Sequence, residues 1–163
     1  MGDDNQDYFL DDSWHGVEVA LLNDDAGTAL DLDCAYPKDG TLVHSWSFDR
    51  SNHNQIWKLE KVNRDSAWSP WTLTCRGNGA VLDVEWGWVD NGTKVRGWSR
   101  FSSLQNQEWY IISYRGSDRV FLLQNVMSCT YLDLNGGKGG NNVKIQAWKR
   151  NNSPAQRWRF VRI

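Results

Sequence analysis

The segment NQIWKLE (residues 54–60) returns in altered form as NQEWYII (106–112) and as AQRWRFV (155–161). Each copy contains Gln-x-Trp at the head of an apolar segment. A motif that recurs at a fixed period is typical of a repeat architecture, in which every unit supplies one supersecondary element to a shared core. Aligning these three copies therefore defines equivalent positions along the whole chain.

Two further patterns keep the same register. An apolar-Asp-apolar core occurs in ALDLD (29–33), VLDVE (81–85) and YLDLN (131–135), and apolar-x-x-Trp occurs in VHSW (43–46), VRGW (95–98) and IQAW (145–148). The distance from the Asp to this second Trp is 15 residues in every copy, and successive Asp residues are 52 and 50 residues apart. The chain therefore consists of three repeats, at about 13–62, 63–115 and 116–163.

Each repeat has the pattern of four short strands separated by turn residues. KDGT (38–41), DNGT (90–93) and GNNV (140–143) stand at equivalent points, and such residues tolerate the positive φ of a tight hairpin turn. No window has helical periodicity, so the predicted class is all-β. Three units are too few for a propeller. A β-trefoil, a closed threefold arrangement of four strands per repeat, accounts for the count. We expect residues 13–163 to form this single domain and the acidic segment 1–12 to be a flexible tail.

The composition excludes several kinds of partner. Eighteen Lys and Arg residues against 20 Asp and Glu residues give a net charge of −2, which offers no general attraction to nucleic acid or to anionic membranes. A mean hydropathy of −0.65 and the lack of a long apolar run argue against a transmembrane segment. No metal or cofactor motif is evident. Three cysteines without a close pair are expected to be small buried hydrophobes, and together with the lack of a signal-like start they favour a cytoplasmic location.

Strand parity predicts where the polar side chains of each repeat point. If Leu30 and Leu32 enter the core, Asp31 projects outward into solvent, and Trp46 lies on the outer surface by the same rule. A core position for Trp57 puts Asn54 on the outer face. Carboxylate, indole and amide groups then converge, and these are the groups that bind the hydroxyls and the apolar face of a sugar ring. The predicted sugar-binding residues are Asp31, Trp46, Asn54, Gln55, Asp83, Trp98, Asn106, Gln107, Asp133, Trp148 and Gln156.

Within this set the three sites are expected to differ. The glutamines share the parity of the core Trp, so they should mainly satisfy backbone groups near the site. The third repeat has Ala155 where the others have Asn, which predicts a weaker third site. Aromatic and imidazole side chains near the sites could form a second subsite or could simply anchor loops. These residues are Tyr36, His44, Trp86 and Trp88.

The three Gln-x-Trp units, each preceded by an apolar-Asp-apolar and an apolar-x-x-Trp segment, resemble the ricin B-chain-type lectins over about residues 15–163. DGTLVHSW (39–46) and NGTKVRGW (91–98) are similar to single-domain fungal agglutinins of that group. The resemblance implies a β-trefoil without cofactors that binds carbohydrate without catalysis. It also implies galactose or N-acetylgalactosamine-type glycans on glycoproteins or glycolipids. A cytoplasmic protein would meet external glycans only after release, and multivalency would come from several sites in one chain or from a homodimer.

Two other functions remain open from the sequence. Asp31 with Asp33, and Asp83 with Glu85, have the i, i+2 spacing at which two carboxyls share a face, as a glycosidase requires. However, an enzyme would have one such pair of carboxyls, whereas here every repeat has its own version of this pair of positions. A protein-binding trefoil, such as a protease inhibitor, would act through variable loops and would not need the repeated Asp and Trp.

Overall fold

The computed structural model describes residues 7–163, and within them the chain forms twelve strands. The strands are β1 (Glu18–Asn23), β2 (Ala29–Leu32), β3 (Thr41–Trp46), β4 (Trp57–Lys61), β5 (Trp71–Cys75), β6 (Val81–Val84), β7 (Thr93–Trp98), β8 (Trp109–Ser113), β9 (Val120–Asn125), β10 (Tyr131–Leu134), β11 (Val143–Trp148) and β12 (Trp158–Arg162). Short 3₁₀ turns join several of them, and no helix in this part of the chain is long and apolar enough to cross a membrane.

Strand pairing divides the twelve strands into a barrel and a cap. Strands β1, β4, β5, β8, β9 and β12 pair in a closed antiparallel ring. The remaining strands form three hairpins, β2–β3, β6–β7 and β10–β11. The hairpins also pair with one another through β3, β7 and β11. A six-stranded barrel closed by three mutually paired hairpins is a β-trefoil, so the predicted fold and its four strands per repeat are confirmed.

The Trp of each Gln-x-Trp motif lies in the shared core. Trp57, Trp109 and Trp158 are fully buried. Each indole N–H donates a hydrogen bond of 3.0 Å to the carbonyl oxygen of the residue just before the repeat's Asp, namely Leu30, Leu82 and Leu132. The last strand of each repeat, β4, β8 or β12, is thereby tied to the hairpin that carries the Asp. This bond is consistent with the nearly equal separation of the two motifs, which is 26, 26 and 25 residues from Asp to Trp in the three repeats.

The hairpin turns interlock the repeats in a cycle. Asp39, in the turn of the first repeat, accepts hydrogen bonds from the backbone N–H and hydroxyl of Ser99 in the second. Asn91 of the second repeat accepts from the backbone N–H of Lys149 in the third. Asn141 of the third then accepts from the backbone N–H of Ser47 in the first. Each repeat therefore supports the end of the Trp-bearing strand in the next one.

The N-terminal boundary differs from the expected one. Leu10 is buried in the core and donates from its backbone N–H to the carbonyl of Ile111. Phe9 pairs with Ile112, and the backbone carbonyl of Tyr8 accepts from Ser113. The expectation of a flexible tail through residue 12 is therefore wrong for the packed residues from Tyr8 onward, because their apolar side chains cover the barrel. Residues 1–6, the rest of that segment, lie outside the described residues.

The cysteines also differ from expectation. Cys75 is buried in the core as predicted, whereas Cys34 and Cys129 are exposed. Both exposed cysteines occupy turns and have positive φ. The backbone conformation of a turn, which composition does not reveal, keeps them at the surface.

Candidate functional site

The Asp of each repeat is buried, although it faces away from the apolar core. Asp31, Asp83 and Asp133 are 4%, 1% and 3% exposed. The expectation that they project into solvent is wrong. The reason is the 3₁₀ turn before Gln-x-Trp (His53–Gln55 in the first repeat), which folds back against the hairpin and covers the carboxylate. Strand parity predicts which face a side chain takes, but it does not predict what covers that face.

The Gln of the motif holds this carboxylate in place. Gln55 donates from Nε2 to Asp31 Oδ2 at 2.8 Å and to the carbonyl of Ser47 at 3.0 Å. Its Oε1 accepts from the backbone N–H of Asp49. Gln107 and Gln156 make the equivalent pairs of bonds to Asp83 and Ser99 and to Asp133 and Lys149. Both amide hydrogens are thus used inside the protein, so each Gln orients the carboxylate.

The amide expected beside the carboxylate is present in the second repeat. Asn106 donates from Nδ2 to Asp83 Oδ2 at 2.8 Å and to the carbonyl of Val84 at 3.2 Å. The third repeat has Ala155 at this position and therefore no equivalent bond. The carboxylate of the second repeat consequently has one more internal partner than that of the third.

In the first repeat a different Asn takes this role. Asn52, and not Asn54, donates from Nδ2 to Asp31 Oδ2 at 3.3 Å. The Oδ1 of Asn54 lies against Gly77, where a Cβ would come within 2.8 Å of it. Asn52 was missed because the other repeats have Leu104 and Ser153 at the same point, so the repeat alignment carries no signal for it.

A residue of the paired strand lies directly opposite each Asp in its hairpin. The cross-strand partners are His44 for Asp31, Arg96 for Asp83 and Gln146 for Asp133. Each contacts Oδ1 of its Asp: His44 Nε2 at 3.2 Å, Arg96 Nε at 2.9 Å and Gln146 Nε2 at 3.0 Å. Sequence reasoning missed Arg96 and Gln146. The constant 13-residue separation from Asp to partner could have identified them.

In the second repeat the space over the carboxylate is filled by Arg96. The centre of its guanidinium lies 4.0 Å from the ring centroid of Trp98 and 5.1 Å from that of Trp86. Nε is paired with Asp83, and Nη1 lies 3.3 Å from Glu85 Oε1. Burial raises the pKa of Asp83, and the Arg96 guanidinium offsets part of that rise.

In the first repeat an imidazole partly covers the carboxylate. His44 lies between Asp31 and the Oδ1 of Asn142, which is 3.1 Å from its Nδ1. Its ring centroid is 5.4 Å from that of Trp46, whose indole is 41% exposed. The hydrogen bond that His44 donates to Asp31 raises the pKa of His44, against the opposing effect of burial.

The third repeat has an open cleft of about 480 Å³ over its carboxylate. Asp133 lies at the floor, and Gln146 and Trp148 line the cleft with it. The rest of the lining consists of the small residues Gly136, Gly137 and Ala155, together with Pro154 and the polar residues Asp25, Asn135, Asn151 and Ser153. Burial raises the pKa of Asp133. In this repeat, a carboxylate and an indole therefore line the same open cleft.

The neighbouring repeat borders this cleft. A Cβ on Gly92, in the hairpin turn of the second repeat, would lie 3.8 Å from both Trp148 Cζ3 and Gln146 Oε1. The turn also holds Lys149 through Asn91, and the carbonyl of Lys149 holds Gln156. Asp25 of the first repeat also lines the cleft, so the third site is built from more than one repeat and its shape is a property of the closed trefoil.

The four residues considered for a second subsite have different environments. Trp86 packs on Arg96, and His44 contacts Asp31. Tyr36 and Trp88 are exposed in the loops that follow β2 and β6. In residues 7–163, no cluster of His, Cys, Asp or Glu side chains is arranged to hold a metal ion.

A family model described as "Ricin-type beta-trefoil lectin domain-like" matches residues 4–98 and 105–163. No curated protein matches the chain. The match spans all three Asp, Gln and Trp positions of the candidate sites.

Solved structures of the same fold match nearly the whole chain. A designed threefold-symmetric protein, ThreeFoil, is 25% identical with a TM-score of 0.80, and the match covers 90% of this chain and 99% of that one. The Rhizoctonia solani agglutinin is 21% identical with a TM-score of 0.76, covering 91% and 96%. The Macrolepiota procera ricin B-like lectin, solved in complex with lactose, is 24% identical with a TM-score of 0.74, covering 91% and 97%.

Proposed function

The chain belongs to the ricin-type β-trefoil lectin-like family, and from this premise we propose that it is a non-catalytic lectin that binds galactose-type glycans. The observation that carries the proposal is the open cleft of the third repeat. There a buried carboxylate, an amide and an indole share one concave surface of a size that accepts a sugar ring. Of the three repeats, the third is the one we propose as the principal site.

The residues of the cleft have distinct roles in this proposal. Asp133 accepts hydrogen bonds from two neighbouring hydroxyls of the sugar, and Trp148 packs against the apolar C–H face of the ring. Gln146 and Gln156 each donate to Asp133, at 3.0 and 3.1 Å, so the carboxylate is oriented before the ligand arrives. Preorganisation of this kind lowers the entropic cost of binding.

The preference for galactose follows from the shape of the sugar. An axial 4-hydroxyl leaves one ring face free of polar groups, and that face can lie on an indole while the hydroxyls reach the carboxylate. The lactose complex of the Macrolepiota procera lectin, which has the same fold, supports a galactose-containing ligand for this chain too. N-Acetylgalactosamine has the same axial 4-hydroxyl and belongs to the proposed ligand class.

The geometry of the paired carboxylates favours binding over catalysis. In the second repeat, Arg96 contacts both Asp83 and Glu85, so both carboxyls of the pair are engaged by one internal partner. In the third repeat, the residue equivalent to Glu85 is Asn135, which leaves a single carboxylate of the pair. A glycosidase mechanism needs two carboxyls in complementary roles.

The proposed mechanism implies weak binding at a single site. A hydrogen bond to a charged group contributes about 1.5–3 kcal/mol and a neutral one about 0.5–1.5 kcal/mol. After the cost of association, we expect a dissociation constant of roughly 0.01–1 mM. Strong attachment to a cell surface would require multivalency, which adds about 10²–10⁴ in avidity. A first-repeat site or a homodimer would provide it.

Calorimetry and a glycan array test this function directly. We expect lactose to bind the purified protein and maltose, a glucose disaccharide of similar size, to bind much more weakly. The indole N–H of Trp148 should shift in NMR spectra on addition of lactose. Equal binding of both disaccharides would refute the galactose preference alone. No binding to any array glycan would refute the lectin function.

A further inference from the structure

The second repeat contains a ligand-like group of its own. The side chain of Arg96 is 6% exposed, and its guanidinium packs against both Trp86 and Trp98, whose rings are 6.1 Å apart at their centroids and tilted by 58°. A flat group that donates a hydrogen bond to Asp83 and stacks on Trp98 makes the same two kinds of contact as the sugar in the proposed function. The guanidinium therefore occupies the place that a ring would need.

The third repeat shows the same position without an arginine. At the equivalent position, Gln146 reaches Asp133 with one hydrogen bond and leaves the cleft over the carboxylate open. The residue equivalent to Trp86 is Gly136 in that repeat, so the third repeat has no second aromatic ring at this position. The backbone is not the cause of the difference, because Asp83 and Arg96 pair in the same hairpin register as Asp133 and Gln146.

The second repeat nevertheless retains the other parts of a site. Asp83 is oriented by Gln107, and Trp98 borders the same space as its counterpart Trp148. Asn106 lies beside the carboxylate, and its Oδ1 is buried without a donor among the described residues. A hydroxyl is the kind of group that this acceptor lacks. What prevents a ring from entering is the guanidinium.

We propose that the second repeat is a latent sugar site that Arg96 holds closed, and that the residue opposite the Asp decides whether each repeat can bind. Gln at this position leaves the carboxylate accessible, whereas Arg satisfies the carboxylate and covers the indole. The valency of the protein is then set by one side chain per repeat. This inference rests on the proposed function, since it takes the same ligand class in the third repeat as its reference.

Reciprocal substitutions test the inference, with lactose as the probe. Arg96→Gln gives the second repeat the residue of the third, and we expect the calorimetric number of lactose molecules per chain to rise by one. Gln146→Arg should lower that number by one. Arg100→Gln, which removes an exposed arginine paired with Glu60, is the matched control and should leave the wild-type number unchanged.

The outcomes separate this inference from the proposed function. If the wild-type protein binds lactose and folded Arg96→Gln binds no additional molecule, the latent site is refuted while the lectin function stands. A wild-type crystal soaked in lactose gives a second measurement, which does not depend on the stability of a variant. Lactose seated on Trp98 in that crystal would overturn the inference, and lactose on Trp148 with Arg96 still in place would support it.

Discussion

Gln156 donates a hydrogen bond from Nε2 to Oδ2 of Asp133 at 3.1 Å, joining the 3₁₀ turn that precedes the last strand to the floor of the third cleft. The same amide group donates to the carbonyl of Lys149. One side chain thus links the barrel, the hairpin and the candidate ligand-binding carboxylate. Binding and stability should therefore respond together when this carboxylate is changed.

Asp133→Ala should abolish lactose binding in the third repeat and also destabilise the fold. The substitution leaves the amide donors of Gln146 and Gln156 without their acceptor, and an unsatisfied buried group costs about 1–3 kcal/mol. The free energy of unfolding, measured in urea, checks the second part. Asp65→Ala is the control, since Asp65 is exposed; an equally stable Asp133→Ala variant would contradict the bonding described above.

Trp109→Ala should destabilise the protein by about 3–5 kcal/mol, because it leaves a large cavity in the core. It also removes the donor to the carbonyl of Leu82. Trp68→Ala, at a side chain that is 69% exposed, should change the free energy of unfolding far less. Similar denaturation midpoints for the two variants would show that the barrel is not packed around Trp109.

Acidification should weaken lactose binding at a pH above the ordinary titration range of an aspartate. The ligand hydroxyls need the ionised form of Asp133 as an acceptor, and burial raises its pKa above the usual value of about 3.9. Calorimetric titrations at successive pH values, on protein shown by circular dichroism to be folded, measure the midpoint. Loss of binding only at a pH below that usual value would contradict the burial of this carboxylate.

The imidazole of His44 should titrate above the usual histidine value of about 6.5. Its hydrogen bond to Asp31 raises the pKa, and Asp33 acts in the same direction. Because the folded-state pKa is raised, the pair stabilises the fold fully at a pH below about 6.5, and this stabilisation is lost as the pH rises through the folded-state pKa. NMR titration of the ring measures the midpoint, and His44→Gln should remove this part of the pH dependence of stability.

Trp148→Ala should reduce lactose affinity strongly, whereas Trp98→Ala should change it little. Both residues hold equivalent positions, but the face of Trp98 is covered by Arg96 and Trp148 borders the open cleft. Calorimetry on the two variants provides the comparison. Equal losses would mean that both repeats bind lactose in the wild-type protein, which would also contradict the closed state inferred for the second repeat.

The order of the sites that we propose is the reverse of the one expected from the sequence, for a physical reason. The sequence predicts a weaker third site because Ala155 cannot form the hydrogen bond expected of Asn54 and Asn106. In the folded protein, Asn106 is used internally by Asp83, and Asn54 is directed towards Gly77. The missing Asn instead helps to leave the third cleft open, so we propose the third repeat as the principal site.

The sequence by itself determined the fold. Its 50-residue register puts apolar side chains at the same points in every repeat, and burying them requires three units that complete one another's core. The positions of Trp57, Trp109 and Trp158 follow from that requirement. Strand parity likewise placed Trp46 at the surface, because neighbouring side chains of a strand point to opposite faces.

Only the tertiary structure decided how the three sites differ. Burial of Asp31, Asp83 and Asp133 depends on a turn more than 20 residues later in the chain, which parity within one strand does not describe. Whether a carboxylate is accessible depends further on the side chain across the hairpin and on what that side chain stacks against. Such contacts join residues that are distant in sequence, and a guanidinium that packs against two indoles forms only once the chain has folded.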